Sequence, residues 1–335
     1  MEIIHQRAYA RAGLIGNPSD GYNGRTLSVV IRDFFAEVVL YEWEDLEIIL
    51  SQEDRSRFGS IHELQHDVKL HGYYGGARLV KATIKRFVEY CQFKGWRLHA
   101  RNFSIRYGSN IPRAVGLAGS SAIIVATLRA LQEFYHVAIP TDVQPSLALA
   151  VETQDLGIAG GLQDRVIQVL EGLVYMDFAK DKIRTIDGYN CGIYESVPIG
   201  LLPTIYIAYS TEAGEPTEVT HGPLKARFLA GDAKVVAAMS KFASLAEAAY
   251  RALKLGDVAA FSVLMNENFD LRKSICDLSP THCLMIETAR QCGASAKFAG
   301  SGGAIVGVYP DETTFARLTV RLGEIGCKVI KPTVR

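Results

Sequence analysis

Three glycine-rich segments and one spaced pair of carboxylates carry the residue types that could do chemistry in this sequence. Gly116-Leu117-Ala118-Gly119-Ser120-Ser121 precedes Ile124, Leu128, Leu131 and Tyr135, which recur at helical spacing, so a glycine-rich loop opens a helix. Amide groups at such a start, aided by the helix dipole, stabilise phosphate, and glycines let the backbone approach its oxygens. Ser120 and Ser121 can cap the helix or reach a phosphate-bound Mg2+. An ordinary Gly/Ser turn with an N-cap is the plain alternative. Neither G-x-x-x-x-G-K-[ST] nor a strand-following G-x-G-x-x-G occurs, which sets aside P-loop ATPases and classical dinucleotide enzymes.

The second glycine segment is Ala299-Gly300-Ser301-Gly302-Gly303-Ala304, preceded by Lys297 and followed by an apolar strand, where glycines allow a ligand or another backbone to come close. The third is Gly13-Leu14-Ile15-Gly16-Asn17-Pro18-Ser19-Asp20, flanked by Arg11 and suited to a polar substrate, or simply a hairpin. Glu152 and Asp164 stand twelve residues apart across Gly157 to Gly161. If they converge, one can hold Mg2+ while the other accepts or orients a hydroxyl proton; two surface acids are the bland reading. His62-Glu63-Leu64-Gln65-His66 also satisfies H-E-x-x-H, the pattern of a zinc hydrolase. Position 69 is Lys and position 72 is Gly, so the extended form fails, and the charged flanks favour solvent-exposed histidines.

The elements that must position these groups interleave irregularly. Short apolar runs at Leu27–Ile31 and Ala36–Leu40, separated by Arg32-Asp33, predict a strand-rich opening. A helix over 76–93 precedes a strand at Phe103–Tyr107. A second helix with Val143, Leu147, Ala150 and Val151 on one face runs into Glu152–Asp155. Strands are expected at Leu173–Asp177 and Ile205–Ala208, helices through most of 222–293, a strand at 304–309 and a closing helix at 311–325. That order predicts an α+β fold, and 335 residues allow about two domains. With 48% hydrophobic and 21% charged residues, disorder is excluded. Lys plus Arg and Asp plus Glu both number 36, which leaves no net field to hold nucleic acid or an anionic membrane. The six cysteines form no C-x-x-C pair and read as reduced thiols. The opening residues lack the layout of a secretory leader, and the expected location is cytoplasmic.

In order and approximate position, the three glycine segments resemble the motifs of the GHMP small-molecule kinases: Arg11–Asp20 the first, Pro112–Ala122 the second, Lys297–Ala304 the third. Within that family, Asn17-Pro18-Ser19-Asp20, Gly72-Tyr73-Tyr74-Gly75-Gly76, Asn110-Ile111-Pro112-Arg113 and Gly161-Leu162-Gln163-Asp164-Arg165-Val166 are similar to the branch acting on glucuronic acid. The resemblance implies a two-lobed fold, with an N-terminal lobe (1–198) like ribosomal protein S5 domain 2 and a ferredoxin-like C-terminal lobe (199–335). It implies ATP- and Mg2+-dependent phosphorylation of the anomeric hydroxyl of glucuronate, giving the 1-phosphate, by a monomer or homodimer. Galacturonate, arabinose or a heptose phosphate are the alternative acceptors. By motif position, Gly116 to Ser121 wrap the ATP phosphates and Ser121 or Ser120 with Glu152 holds Mg2+. Asp164 acts as base or orienting acceptor, and Arg11 stabilises the transferring phosphoryl. Asp20 binds the sugar ring, and Gly300, Gly302 and Gly303 form the C-terminal loop. The Glu152–Asp164 spacing is about one residue longer than in mevalonate kinase. A uronate carboxylate needs a cationic partner, for which Arg113, Arg25, Arg78, Arg165 and Lys297 are candidates.

Overall fold

The computed structural model describes residues 3–49, 75–211 and 224–335; His62, His66 and residues 72–74 lie outside the described residues. The first lobe is organised by two long antiparallel strands, β1 (Ile3–Ile15) and β2 (Arg25–Trp43). The two apolar runs within β2 belong to one strand. Where Arg32-Asp33 suggests a break, the register with β1 jumps from Tyr9 opposite Phe35 to Ala10 opposite Ile31, so the polar pair is carried by a bulge. Around β2 stand β3 (Glu47–Ile49), β4 (Asn102–Ser109), β5 (Leu173–Asp177) and β8 (Ile193–Val197), in the order β3-β4-β2-β5-β8 with β1 paired to β2. A small hairpin, β6 (Arg184–Ile186) with β7 (Tyr189–Cys191), is too short to show a period in the sequence.

Helix α1 (Gly76–Phe93) lies against α2 (Gly119–Phe134), and α2 buries Ile124, Leu128 and Leu131 over β1 and β2. The expected second helix is interrupted: α3 (Gln144–Ala150) gives way to a π-helical turn at Val151–Asp155 before α4 (Gln163–Leu170). A π turn takes up roughly one extra residue, here within the segment that leads from Glu152 to Asp164.

The second lobe runs β9 (Ile205–Ser210), α5 (Ala233–Leu255), α6 (Val258–Ile275), α7 (Pro280–Gln291), β10 (Lys297–Phe298), β11 (Ala304–Val308), α8 (Glu312–Gly323) and β12 (Cys327–Ile330). Its antiparallel sheet has the order β10-β11-β9-β12, the ferredoxin-like arrangement. Strand β12, absent from the sequence expectation, closes one edge. Asp232, Asp257 and Asp311 cap α5, α6 and α8 through main-chain amides. The largest apolar core passes through both lobes, joining Val38 and Leu128 to Ile207, Ala246 and Phe261. Loops from the two lobes are therefore held together by a shared interior. All six cysteines are free thiols, and among the described residues no helix is long and apolar enough to cross a membrane.

Candidate active site

Segments nearly three hundred residues apart meet at Arg11 on β1. Its Nε donates to Asp164 Oδ1 at 2.7 Å, and Nη1 donates to the carbonyls of Gly116 at 2.6 Å and Ala299 at 3.2 Å. One buried guanidinium thus joins the first turn of α4, the loop before α2 and the loop after β10. Asp164 lies where the α4 dipole favours a negative charge.

The loop before α2 turns through two left-handed residues, Gly116 (φ 75°) and Ala118 (φ 66°). No side chain caps α2, as is also true of α1, α3, α4 and α7, whereas aspartates cap α5, α6 and α8. The first turn of α2 has the geometry that receives an anion. Ser121 is buried and donates to the Ala118 carbonyl at 3.2 Å, whereas Ser120 is partly exposed on the same turn. The loop after β10 docks directly on this one. A Cβ on Gly300 would stand 2.1 Å from the Gly116 carbonyl oxygen and 2.9 Å from two Arg11 nitrogens, so close approach requires glycine there. Gly302 and Gly303 carry positive φ values of 146° and 78° in the same turn.

Asp20, on a 3-10 turn at Ser19–Tyr22, accepts a hydrogen bond from the Gln163 amide at 3.2 Å. Burial and the neighbouring Asp164 charge push its carboxyl up to about 6, although the Gln163 amide, Arg11 and Arg165 pull the other way.

Other expected site residues are placed differently. Glu152, in the π turn, is buried and receives both Nε (2.7 Å) and Nη2 of Arg165. Burial works against the Arg165 charge, but the Glu152 and Asp164 carboxylates outweigh it and raise its pKa. Lys297 was expected at the substrate; instead its ammonium is enclosed, donating to the carbonyls of Gly13 at 2.5 Å and Phe298 at 2.7 Å. Burial, together with the nearby Arg272 and Arg11 charges, pushes it well below the usual lysine range. It braces the first loop against the third rather than facing a ligand. Arg25 pairs with Asp177 at 2.7 Å and Glu247 at 3.4 Å. Arg113 is exposed on the approach to Gly116, and Arg78 is partly exposed at the start of α1.

Two buried residues of α6 were missed by the sequence reading. Asn268 accepts from the Gly16 amide at 2.7 Å and donates to the Asn17 carbonyl at 3.2 Å; Arg272 donates to the Gly300 and Ser301 carbonyls. A signal was present: both stand on the apolar face formed by Phe261, Met265, Phe269 and Ile275, where a polar group requires a partner.

Residues 78–172 match the family described as GHMP kinases N terminal domain. The chain is 42% identical to probable glucuronokinase 2 of Arabidopsis thaliana, covering 94% of this chain and 87% of that protein. It is 41% identical to glucuronokinase 1 of the same plant, with the same coverage. A crystal structure of Lactococcus lactis galactokinase complexed with galactose superposes with a TM-score of 0.79 at 16% identity, covering 99% of this chain and 94% of that one.

Proposed function

The chain belongs to the GHMP kinases, as a phosphotransferase acting on a sugar hydroxyl, and we propose that its acceptor is the anomeric hydroxyl of D-glucuronate. ATP would be the donor, and glucuronate 1-phosphate and ADP the products. The reading is carried by one observation: the Arg11–Asp164 ion pair is fastened to both glycine loops in a chain that shares 42% identity with a glucuronokinase. The lobes of this reading are 1–198 and 199–335.

In this reading the Gly116–Ser121 loop and the uncapped start of α2 receive the ATP phosphates. Asp164 orients the acceptor hydroxyl and takes its proton as the oxygen bonds to the terminal phosphorus and the bridging oxygen leaves with ADP. Arg11 fixes the rotamer of Asp164 and faces the transferring group with positive charge. Asp20, two carboxylate oxygens beside Gln163, holds ring hydroxyls. For the uronate carboxylate, the exposed Arg113 and the partly exposed Arg78 are more accessible than Arg165 and Lys297, which are buried, and Arg25 is paired with Asp177 and Glu247.

Oxygen donors suit a hard cation, and Ser120, Ser121 and Glu152 supply them. Glu152 would share its carboxylate with Arg165, and Ser120 is the more accessible hydroxyl. Bound at the phosphates, Mg2+ would offset their charge. The zinc-hydrolase alternative rests on His62 and His66, outside the described residues; among the described residues no group of three His, Cys, Asp or Glu side chains could hold a metal.

The test is ADP release with ATP and a panel of acceptors: glucuronate, galacturonate, glucose, arabinose and a heptose phosphate. Glucuronate should be turned over with the highest kcat/KM. Strong turnover of glucose or arabinose without glucuronate would overturn the assignment.

A further inference from the structure

Four consecutive carbonyls, from the last residue of β10 onward, point at three buried basic side chains: Phe298 at Lys297, Ala299 at Arg11, Gly300 and Ser301 at Arg272. Of these three, Arg11 has a carboxylate, Asp164. Lys297 can answer burial by releasing its proton, but an arginine keeps its charge. Arg272 is 3% exposed, stacks over Phe298 at 5.4 Å, and among the described residues forms no ion pair. Its Nη1 and Nη2 donate at 2.7 and 3.0 Å, while its Nε, also buried, finds no hydrogen-bond partner among the described residues. A buried charge met, among the described residues, by peptide dipoles and one aromatic face is costly, and an anion brought nearby would offset that cost. The peptide it grips is the one that abuts the phosphate loop: Gly300 is wedged between the Arg11 guanidinium and the Gly116 carbonyl.

We propose that Arg272 is a positioning residue that holds the C-terminal glycine loop against the Gly116 loop and lends its unbalanced charge to the nucleotide's terminal phosphate, favouring triphosphate over diphosphate. After transfer, that preference would favour release of the diphosphate. The proposal is independent of the acceptor's identity, and its test needs no sugar. Dissociation constants of ADP and of the β,γ-imido analogue of ATP would be measured by calorimetry for the parent, Arg272→Lys and Arg272→Met. The parent should prefer the triphosphate analogue, Arg272→Met should lose about tenfold of that preference, and Arg272→Lys should retain most of it. Thermal melting reports folding separately. If Arg272→Met does not fold, Arg272→Gln keeps a donor for the loop while removing the charge, and the same loss is expected of it. A preference unchanged in the folded neutral variant would overturn the proposal. So would an equal loss in Arg272→Lys, which would reduce the residue to a brace.

Discussion

On the α4 side of the site, Arg11 meets Asp164 and Arg165 meets Glu152, whereas on the α6 side Arg272 meets main-chain carbonyls and the Phe298 ring and, among the described residues, no carboxylate. Both sides bury their guanidinium groups almost completely. Pairing with a carboxylate cancels charge and fixes direction, so the α4 side is built for geometry: it aims Asp164. Pairing with carbonyls fixes the loop but leaves the charge, so the α6 side is built for potential. A phosphoryl-transfer site requires both, since alignment and charge compensation provide most of its catalysis.

The sharpest break of the balanced side is Asp164→Asn, which keeps the shape and removes the proton acceptor. We expect kcat to fall by about 10³-fold, with the affinity for the nucleotide, read by calorimetry, within about twofold of the parent. Turnover equal to the parent would remove Asp164 from the chemistry.

Next in size is the structural ion pair. Glu152→Gln removes the nearer of the two carboxylates beside the buried Arg165, leaving Asp164 at 3.6 Å, and should cost about 1–3 kcal/mol in urea denaturation. Adding Arg165→Met should restore much of the loss, because no charge is then left uncompensated. If the double variant is as unstable as the single one, the pair does not act as a unit.

Forcing the two sides apart is the third perturbation. Gly300→Ala introduces a methyl group against the Gly116 carbonyl and should lower stability by about 1–3 kcal/mol and kcat by about tenfold or more. A crystal structure of the variant with unmoved loops would refute the steric argument.

The smallest effect expected is that of pH on Asp20. Its carboxyl sits near 6 in the folded protein, above the ordinary 3.8, so between these values the native state holds a proton that the unfolded state has released. Stability therefore falls as pH rises through that window, and Asp20→Asn should flatten the slope. Above it the ionised carboxylate is the better acceptor for sugar hydroxyls. The acceptor KM should fall a few-fold from about pH 5 to about pH 8 in the parent and not in Asp20→Asn.

Much of the fold was legible because burial imposes periods. The long strands β1 and β2, strands β4 and β5, helices α1 and α2 and the strand at β11 follow from apolar spacing, whereas β3, β6, β7 and β8 were not expected. What was missed has local causes. Strand β12 is four half-covered residues behind a helix, Arg32-Asp33 imitates a strand break but sits in a bulge, and the π turn at Val151 continues a helical pattern without an α-helical register. At the candidate site, Arg11, Asp20, Asp164 and the glycine loops could be singled out because their types and order are informative one segment at a time. Lys297 and Glu152 were found too, but their surroundings were not: a lysine beside glycines looks equally available whether it faces solvent or two carbonyls.

The sequence by itself determined the chemical inventory: which loops could turn tightly, which helix starts could face an anion, which acids and bases existed to be used. These depend on side-chain type and near neighbours. Tertiary structure alone decided which charge was balanced. Arg11 finds Asp164 across 153 positions, Arg165 takes Glu152 out of solvent, and Arg272 is left with carbonyls, because Coulomb energies depend on distance and burial in three dimensions.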